Sequence, residues 1–190
     1  MILLVAGGLG TLTALRNRDY RSAAGIWEGV IAHRPFNPRA YNSLGNIVLK
    51  RGEAARAEEL YRRAIAVSPG YQPAHYNLAN LLAGRGEIDE AIAYYRKTLE
   101  INPEAVEAHN NLGIALFGQG ETEAARTHFL AALKIDPDDP AAHYNLGLLL
   151  FKEGDAAAAL PYLERAEQLR PDHLPARRAL AAARESTREQ

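Results

Sequence analysis

The peptide AHYNL at residues 74–78 returns unchanged at 142–146, and AHNNL stands between them at 108–112. The three copies are evenly spaced, 34 residues apart. Setting the chain out in rows of that length aligns far more than five letters. Prolines recur at Pro35, Pro69, Pro103, Pro137 and Pro171, and alanines at Ala23, Ala57, Ala91, Ala125 and Ala159. Glycines recur at Gly52, Gly86, Gly120 and Gly154. Leu44, Leu78, Leu112 and Leu146 are each followed by a small residue, Gly45, Ala79, Gly113 and Gly147, while Trp27, Tyr61, Tyr95, Phe129 and Leu163 form a bulky column. Five rows in strict register make the chain an internal repeat.

Each row reads as two helices. In PAHYNLANLLAGRG, residues 73–86, apolar side chains fall at helical spacing and the pattern stops at Gly86. EIDEAIAYYRKTLEINP, residues 87–103, restarts with acids in its first turn, which suits a helix N-terminus, and ends at Pro103. Glycine supplies the left-handed residue of the turn, and proline ends the second helix. The small columns let two helix backbones approach while the bulky column fills the space beside them. The expected fold is all-α.

Tyr41, Leu44, Gly45, Val48, Ala57, Tyr61 and Pro69 spell Y-x2-LG-x2-V…A-x3-Y…P, which resembles the tetratricopeptide repeat. Rows 38–71, 72–105, 106–139 and 140–173 match that signature. His75, His109 and His143 replace its opening aromatic, and Thr98 stands where the other full rows have alanine. Residues 1–37 are expected to hold the apolar N-terminus and a degenerate first repeat, and 174–190 a capping helix that shows Arg177, Arg178, Arg184 and Glu185 to water. Pro161, inside a second helix, is expected to kink it locally. The resemblance implies a right-handed α-solenoid, with first helices lining a concave groove that binds a protein or an extended peptide.

Charge and composition exclude several other functions. A net charge of −1 gives no basic field for nucleic acid, and the absence of cysteine excludes disulfides, thiolate nucleophiles and Cys-ligated zinc. His75, His109 and His143 share a column, but equivalent positions on neighbouring repeats lie about 10 Å apart, too far for a common metal ion. They are expected to pack. DPDDP at 136–140 lacks the glycine and terminal glutamate of a calcium loop. GGLG at 7–10 has neither the preceding strand nor the GK[ST] of a phosphate loop. No nucleophile, base and orienter set is present, so neither catalysis, a cofactor nor a metal is expected.

The resemblance implies which side chains face the groove. They are Arg39, Asn42, Asn46 and Lys50 in the first full row, and Tyr76, Asn77 and Asn80 in the second. Glu107, Asn110, Asn111, Ile114 and Phe117 follow in the third, and Tyr144, Asn145, Leu148, Phe151 and Lys152 in the fourth. Amides both donate to and accept from a peptide backbone, and rings bury apolar side chains. Two binding modes of similar repeats can be compared. Asn46 and Asn77 match the asparagines of the chaperone-type carboxylate clamp, but Asn42, Glu107 and Asn111 stand where it needs Lys, Lys and Arg, and Glu107 would repel a carboxylate. Asn77, Asn111 and Asn145 resemble the asparagine ladder of the transferase that adds N-acetylglucosamine to proteins, with Ser43 breaking the column.

MILLVAGGLGTLTAL, residues 1–15, is uncharged. It is shorter than the ~20 apolar residues of a membrane helix and lacks the basic start of a signal peptide. Three readings stay open: a helix buried in the first repeat, a membrane stub, or a sticky end docking on the C-terminal helix of another copy and stacking the chains head to tail. Residues 16–45 resemble the join between the last membrane helix and the repeats of proteins of the O-mannosyltransferase type, which would make this a C-terminal segment of such a protein. The compartment is left open.

Overall fold

The computed structural model describes residues 23–188, and every regular element within that range is a helix. Helix α1 occupies residues 23–33. It is followed by α2 (Pro38–Lys50), α3 (Ala54–Val67), α4 (Gln72–Gly84), α5 (Ile88–Ile101) and α6 (Val106–Gly118). Then come α7 (Thr122–Ile135), α8 (Pro140–Lys152), α9 (Ala156–Leu169) and α10 (Leu174–Arg188). The 34-residue period reappears in the helix starts, at 38, 72, 106, 140 and 174 and at 54, 88, 122 and 156. The architecture is an all-α repeat solenoid. The expectations for residues 1–15 fall outside the described residues.

The turns explain the glycine column. Gly52, Gly86, Gly120 and Gly154 have φ between 81° and 90°, a region that costs a side chain energy and glycine none. Glu53 N–H donates to Val48 O and Gly52 N–H to Leu49 O, which closes the end of α2 as a Schellman motif. The same pair of bonds recurs at Glu87 and Gly86, at Glu121 and Gly120, and at Asp155 and Gly154. Where a row begins, Asn37 and Asp139 accept from Ala40 N–H and Ala142 N–H at 3.3 and 2.6 Å, with Pro38 and Pro140 opening α2 and α8.

The chain divides into two compact units, residues 1–81 and 82–190. In the first, α2 and α3 pack as a hairpin around Leu44, Val48, Ala57, Tyr61 and Ala64, all buried. In the second, α6–α7 and α8–α9 pack as hairpins, α5 lies on α6, α7 on α8, and α10 on α9 and α8. The first helices of these rows also touch in series, α6 with α8 and α8 with α10. Ala176, Leu180 and Ala183 are buried on the inner side of α10, while Arg177, Arg178, Arg184 and Glu185 are exposed. Helix α9 runs continuously through the exposed Pro161.

Close approach depends on the small column. A Cβ at Gly45 would lie 2.6 Å from Tyr61 Cε1, and one at Gly147 would lie 2.8 Å from Leu163 Cγ. Thr98 is fully buried, yet its hydroxyl donates to Tyr94 O at 2.9 Å, so it fills an alanine position with no unsatisfied group.

Candidate functional site

In the first unit, two of the expected groove asparagines are held by the fold itself. Asn42 is only 6% exposed, and its Oδ1 accepts from Asn77 Nδ2 at 2.8 Å. Asn46 Oδ1 accepts from the Tyr61 hydroxyl at 2.7 Å, which satisfies the polar end of a fully buried ring. Burial pushes that hydroxyl up to about 12. Arg39 and Lys50 are exposed, while Tyr76, Asn77 and Asn80 are half-buried.

In the second unit, Asn110 also turns inward. It is 4% exposed, and its Nδ2 donates to Asp139 Oδ1 at 2.8 Å, the same oxygen that caps α8. For Asn42 and Asn110, therefore, the structure differs from the expected groove. Both side chains point toward the first helix of the next row, α4 for Asn42 and the start of α8 for Asn110, where their amides bridge successive rows. Tyr144 meets the His173 ring edge-on at 4.9 Å between centroids. Asn111, Phe117, Asn145, Leu148 and Phe151 are half-buried, and Glu107 and Lys152 are exposed.

One face of α6 opens a cleft of about 440 Å³. Asn111, Ile114, Ala115 and Gly118 follow one another at i, i+3, i+4 and i+7, a single helical face. Ala115 and Gly118 are too small to fill the space beside it. Ile88 and Tyr95 of α5 make the opposite wall, and no charged side chain lines the cleft. The Asn111 and Gln119 amides contribute polar groups to it, and Gln119 also donates to Asp89. Ile114 keeps half its surface exposed, large for an isoleucine in a helix of a packed stack. The resemblance implied Asn111 and Ile114 at this place. It missed Ile88 and Tyr95 of α5, and Gln119, which directly follows Gly118 at the end of α6.

The histidine column has a job in the fold. His75, His109 and His143 each place Nε2 on the carbonyl oxygen of the proline six residues earlier, Pro69, Pro103 and Pro137, at 2.8, 3.0 and 2.8 Å. Tyr41 does the same to Pro35 O through its hydroxyl at 3.0 Å. A carbonyl at the end of each second helix thus gains a donor from the helix that follows. The acids of DPDDP serve their turn: Asp136 accepts from Asp138 N–H, Asp138 pairs with Arg165, and Asp139 caps α8. Among the described residues, no three His, Cys, Asp or Glu side chains converge on a common point, and no helix is long and apolar enough to cross a membrane.

The sequence profile of the tetratricopeptide repeat matches residues 12–72, 76–140 and 118–173. No curated protein matches the chain by sequence. Among solved structures the chain is similar to YrrB, described as a TPR protein with an unusual peptide-binding site (TM-score 0.71, 22% identity, 90% of this chain and 87% of that one). It is also similar to PilF of Pseudomonas aeruginosa (TM-score 0.78, 19% identity, 90% and 84%). A third likeness is to TTC0263, a thermophilic TPR protein of Thermus thermophilus (TM-score 0.66, 24% identity, 92% and 95%). At these identities the likeness is one of fold. None of the comparisons supports the resemblance of residues 16–45 to membrane proteins of the O-mannosyltransferase type.

Proposed function

Because the chain belongs to the tetratricopeptide repeat family, we propose that it is a non-enzymatic scaffold that binds an extended segment of another protein, anchored in the cleft on α6. The observation that carries this reading is the uncharged cleft beside the half-exposed Ile114, with amides at Asn111 and Gln119. Apolar walls reward burial of one aliphatic or aromatic side chain, at about 25 cal/mol per Å² removed from water. The amides orient the backbone on either side of it. Asn145, half-buried and without a partner among the described residues, extends the same row of first helices on α8. The peptide-binding site named for YrrB supports a peptide as the ligand class.

The test is to select random decapeptides on the intact protein and measure the affinity of the best by calorimetry, with Ile114→Glu and Asn111→Ala alongside. Selected sequences should share an apolar residue. Ile114→Glu, which places a charge against the anchor, should weaken binding at least about tenfold, or 1.4 kcal/mol. Unchanged affinity in a folded Ile114→Glu protein would remove the cleft as the binding site.

A second reading has its own observation. Leu174 is 57% exposed, and Ala181, which continues the column of Gly45, Gly113 and Gly147, is exposed as well. This end of the stack offers a surface on which another copy would dock. Light scattering on the intact chain and on one lacking residues 1–15 tests it. A monomer at high concentration in both cases would exclude head-to-tail stacking.

A further inference from the structure

The cleft on α6 is open because one row of the repeat lacks side chains that the next row has. Its walls include Ala83, Ala115 and Gly118. One period further on, the same three positions hold Phe117, Leu149 and Lys152. At that junction α8 lies on α7 as α6 lies on α5, with Leu149 fully buried and Phe117 half-buried. An aromatic and an aliphatic side chain are therefore what the fold itself puts in this place, and about 440 Å³ stand open where they are missing.

Negative charge frames the cleft at both ends. Glu107 is the sole Asp, Glu, Lys or Arg of α6, and it precedes Asn111 by one helical turn, on the face that carries Ile114, Ala115 and Gly118. It is exposed and forms no hydrogen bond or ion pair among the described residues. At the other end Gln119 donates to Oδ1 of Asp89, and the second oxygen of that carboxylate has no partner among the described residues. The cations nearby in sequence are engaged elsewhere: Arg85 pairs with Glu87 at 2.8 Å, and Lys97 pairs with Glu100. A carboxylate at Glu107 repels another carboxylate and attracts an ammonium or guanidinium group.

Resting on the reading of the cleft as a peptide site, we infer that its occupant is a basic segment of another protein, in which two apolar side chains at i and i+2 are flanked on each side by a lysine or arginine. The apolar pair shares one side of an extended chain and takes the places that Phe117 and Leu149 take in the next row. The flanking cations face Glu107 and Asp89. The rise of α6 from Glu107 to Gln119 is about 18 Å, which an extended chain covers in about five or six residues. That length holds the apolar pair and both cations in one short motif. An acidic segment of the same apolar content meets two carboxylates with no cation to offset them and is repelled.

The test is selection of decapeptides from a random displayed library on the intact chain at low salt, with the affinities of synthetic copies measured by fluorescence anisotropy. The selected pool should carry apolar residues at i and i+2 with Lys or Arg on both sides, and its affinity should fall as salt is added. Ala115→Leu combined with Gly118→Lys gives this row the residues of the next. A Cβ at Gly118 meets nothing within 4 Å, so the double variant should stay folded, and it should lose the peptide at least about tenfold. Glu107→Lys, compared at matched helix content, should weaken the same peptide at least about threefold at low salt and should favour acidic flanks in a fresh selection. An apolar pool without basic flanks overturns the inference and leaves the cleft standing as a peptide site. So does an affinity that Glu107→Lys leaves unchanged while the filled cleft loses it. No binder at all, or full affinity in the folded double variant, removes the cleft itself and this inference with it.

Discussion

A Cβ at Gly113 of α6 would lie 2.5 Å from Cε1 of Phe129 in α7. Phe129 is 1% exposed and has no open side to move toward. The space that glycine leaves is what the ring occupies, so the two residues act as one packing unit that holds the hairpin closed. Gly45 with Tyr61 and Gly147 with Leu163 are its counterparts.

Gly113→Ala should therefore destabilise the protein by about 1–3 kcal/mol through overpacking. Gly118→Ala, in the same helix and with nothing within 4 Å of its Cβ, should be stabilising by about 0.4–1 kcal/mol because alanine has less freedom to lose. Urea denaturation of both variants checks the contrast. A Gly113→Ala protein as stable as wild type would mean that Phe129 can shift at no cost.

Asp139, half-buried, should be among the most sensitive polar positions. One carboxylate oxygen caps α8 through Ala142 N–H and accepts from the buried Asn110 amide. Asp139→Ala loses a cap worth about 1 kcal/mol and strands a buried donor worth about 1–3 kcal/mol more. Asp139→Asn keeps an acceptor oxygen and should recover most of the difference. Equal midpoints for the two variants in urea would contradict this account.

Alkaline pH should unfold the protein through Tyr61. Its hydroxyl is held at about 12, against about 10 in the unfolded chain. The unfolded state thus releases the proton first. The stabilising term is complete below about pH 10 and is lost as pH rises to about 12, in total about 2–3 kcal/mol. Tyrosinate absorbance at Tyr61, isolated by comparison with Tyr61→Phe, should rise only together with loss of helix.

Acid should act through His128, whose value is lowered chiefly by burial and further by His109 and Arg96. An imidazole below its ordinary value of about 6.5 stabilises the fold above that pH and progressively less as pH falls beneath it. The melting temperature of wild type should drop more between pH 8 and 5 than that of His128→Tyr. Parallel curves would show that the His109–His128 contact carries no net proton linkage.

The 34-residue period, the helix pairs, the glycine turns and the pairing of small with bulky columns were all legible in the amino-acid order, because each rests on local signals. A left-handed turn needs glycine, a helix face repeats every 3.6 residues, and proline ends what it follows. The cleft and the fate of the asparagines depend instead on how neighbouring helices are rotated against each other. Asn42 meets Asn77, Asn110 meets Asp139, and His109 meets His128, at separations of 35, 29 and 19 residues. Spacing within a helix says which side chains share a face but not what that face meets. A turn of about 100° per residue carries an amide from the groove into the seam between rows. Packing of the helices decided that Asn42 and Asn110 bridge rows while Asn111 lines a cleft, since only there do Ala115 and Gly118 leave space that Ile88 and Tyr95 do not fill.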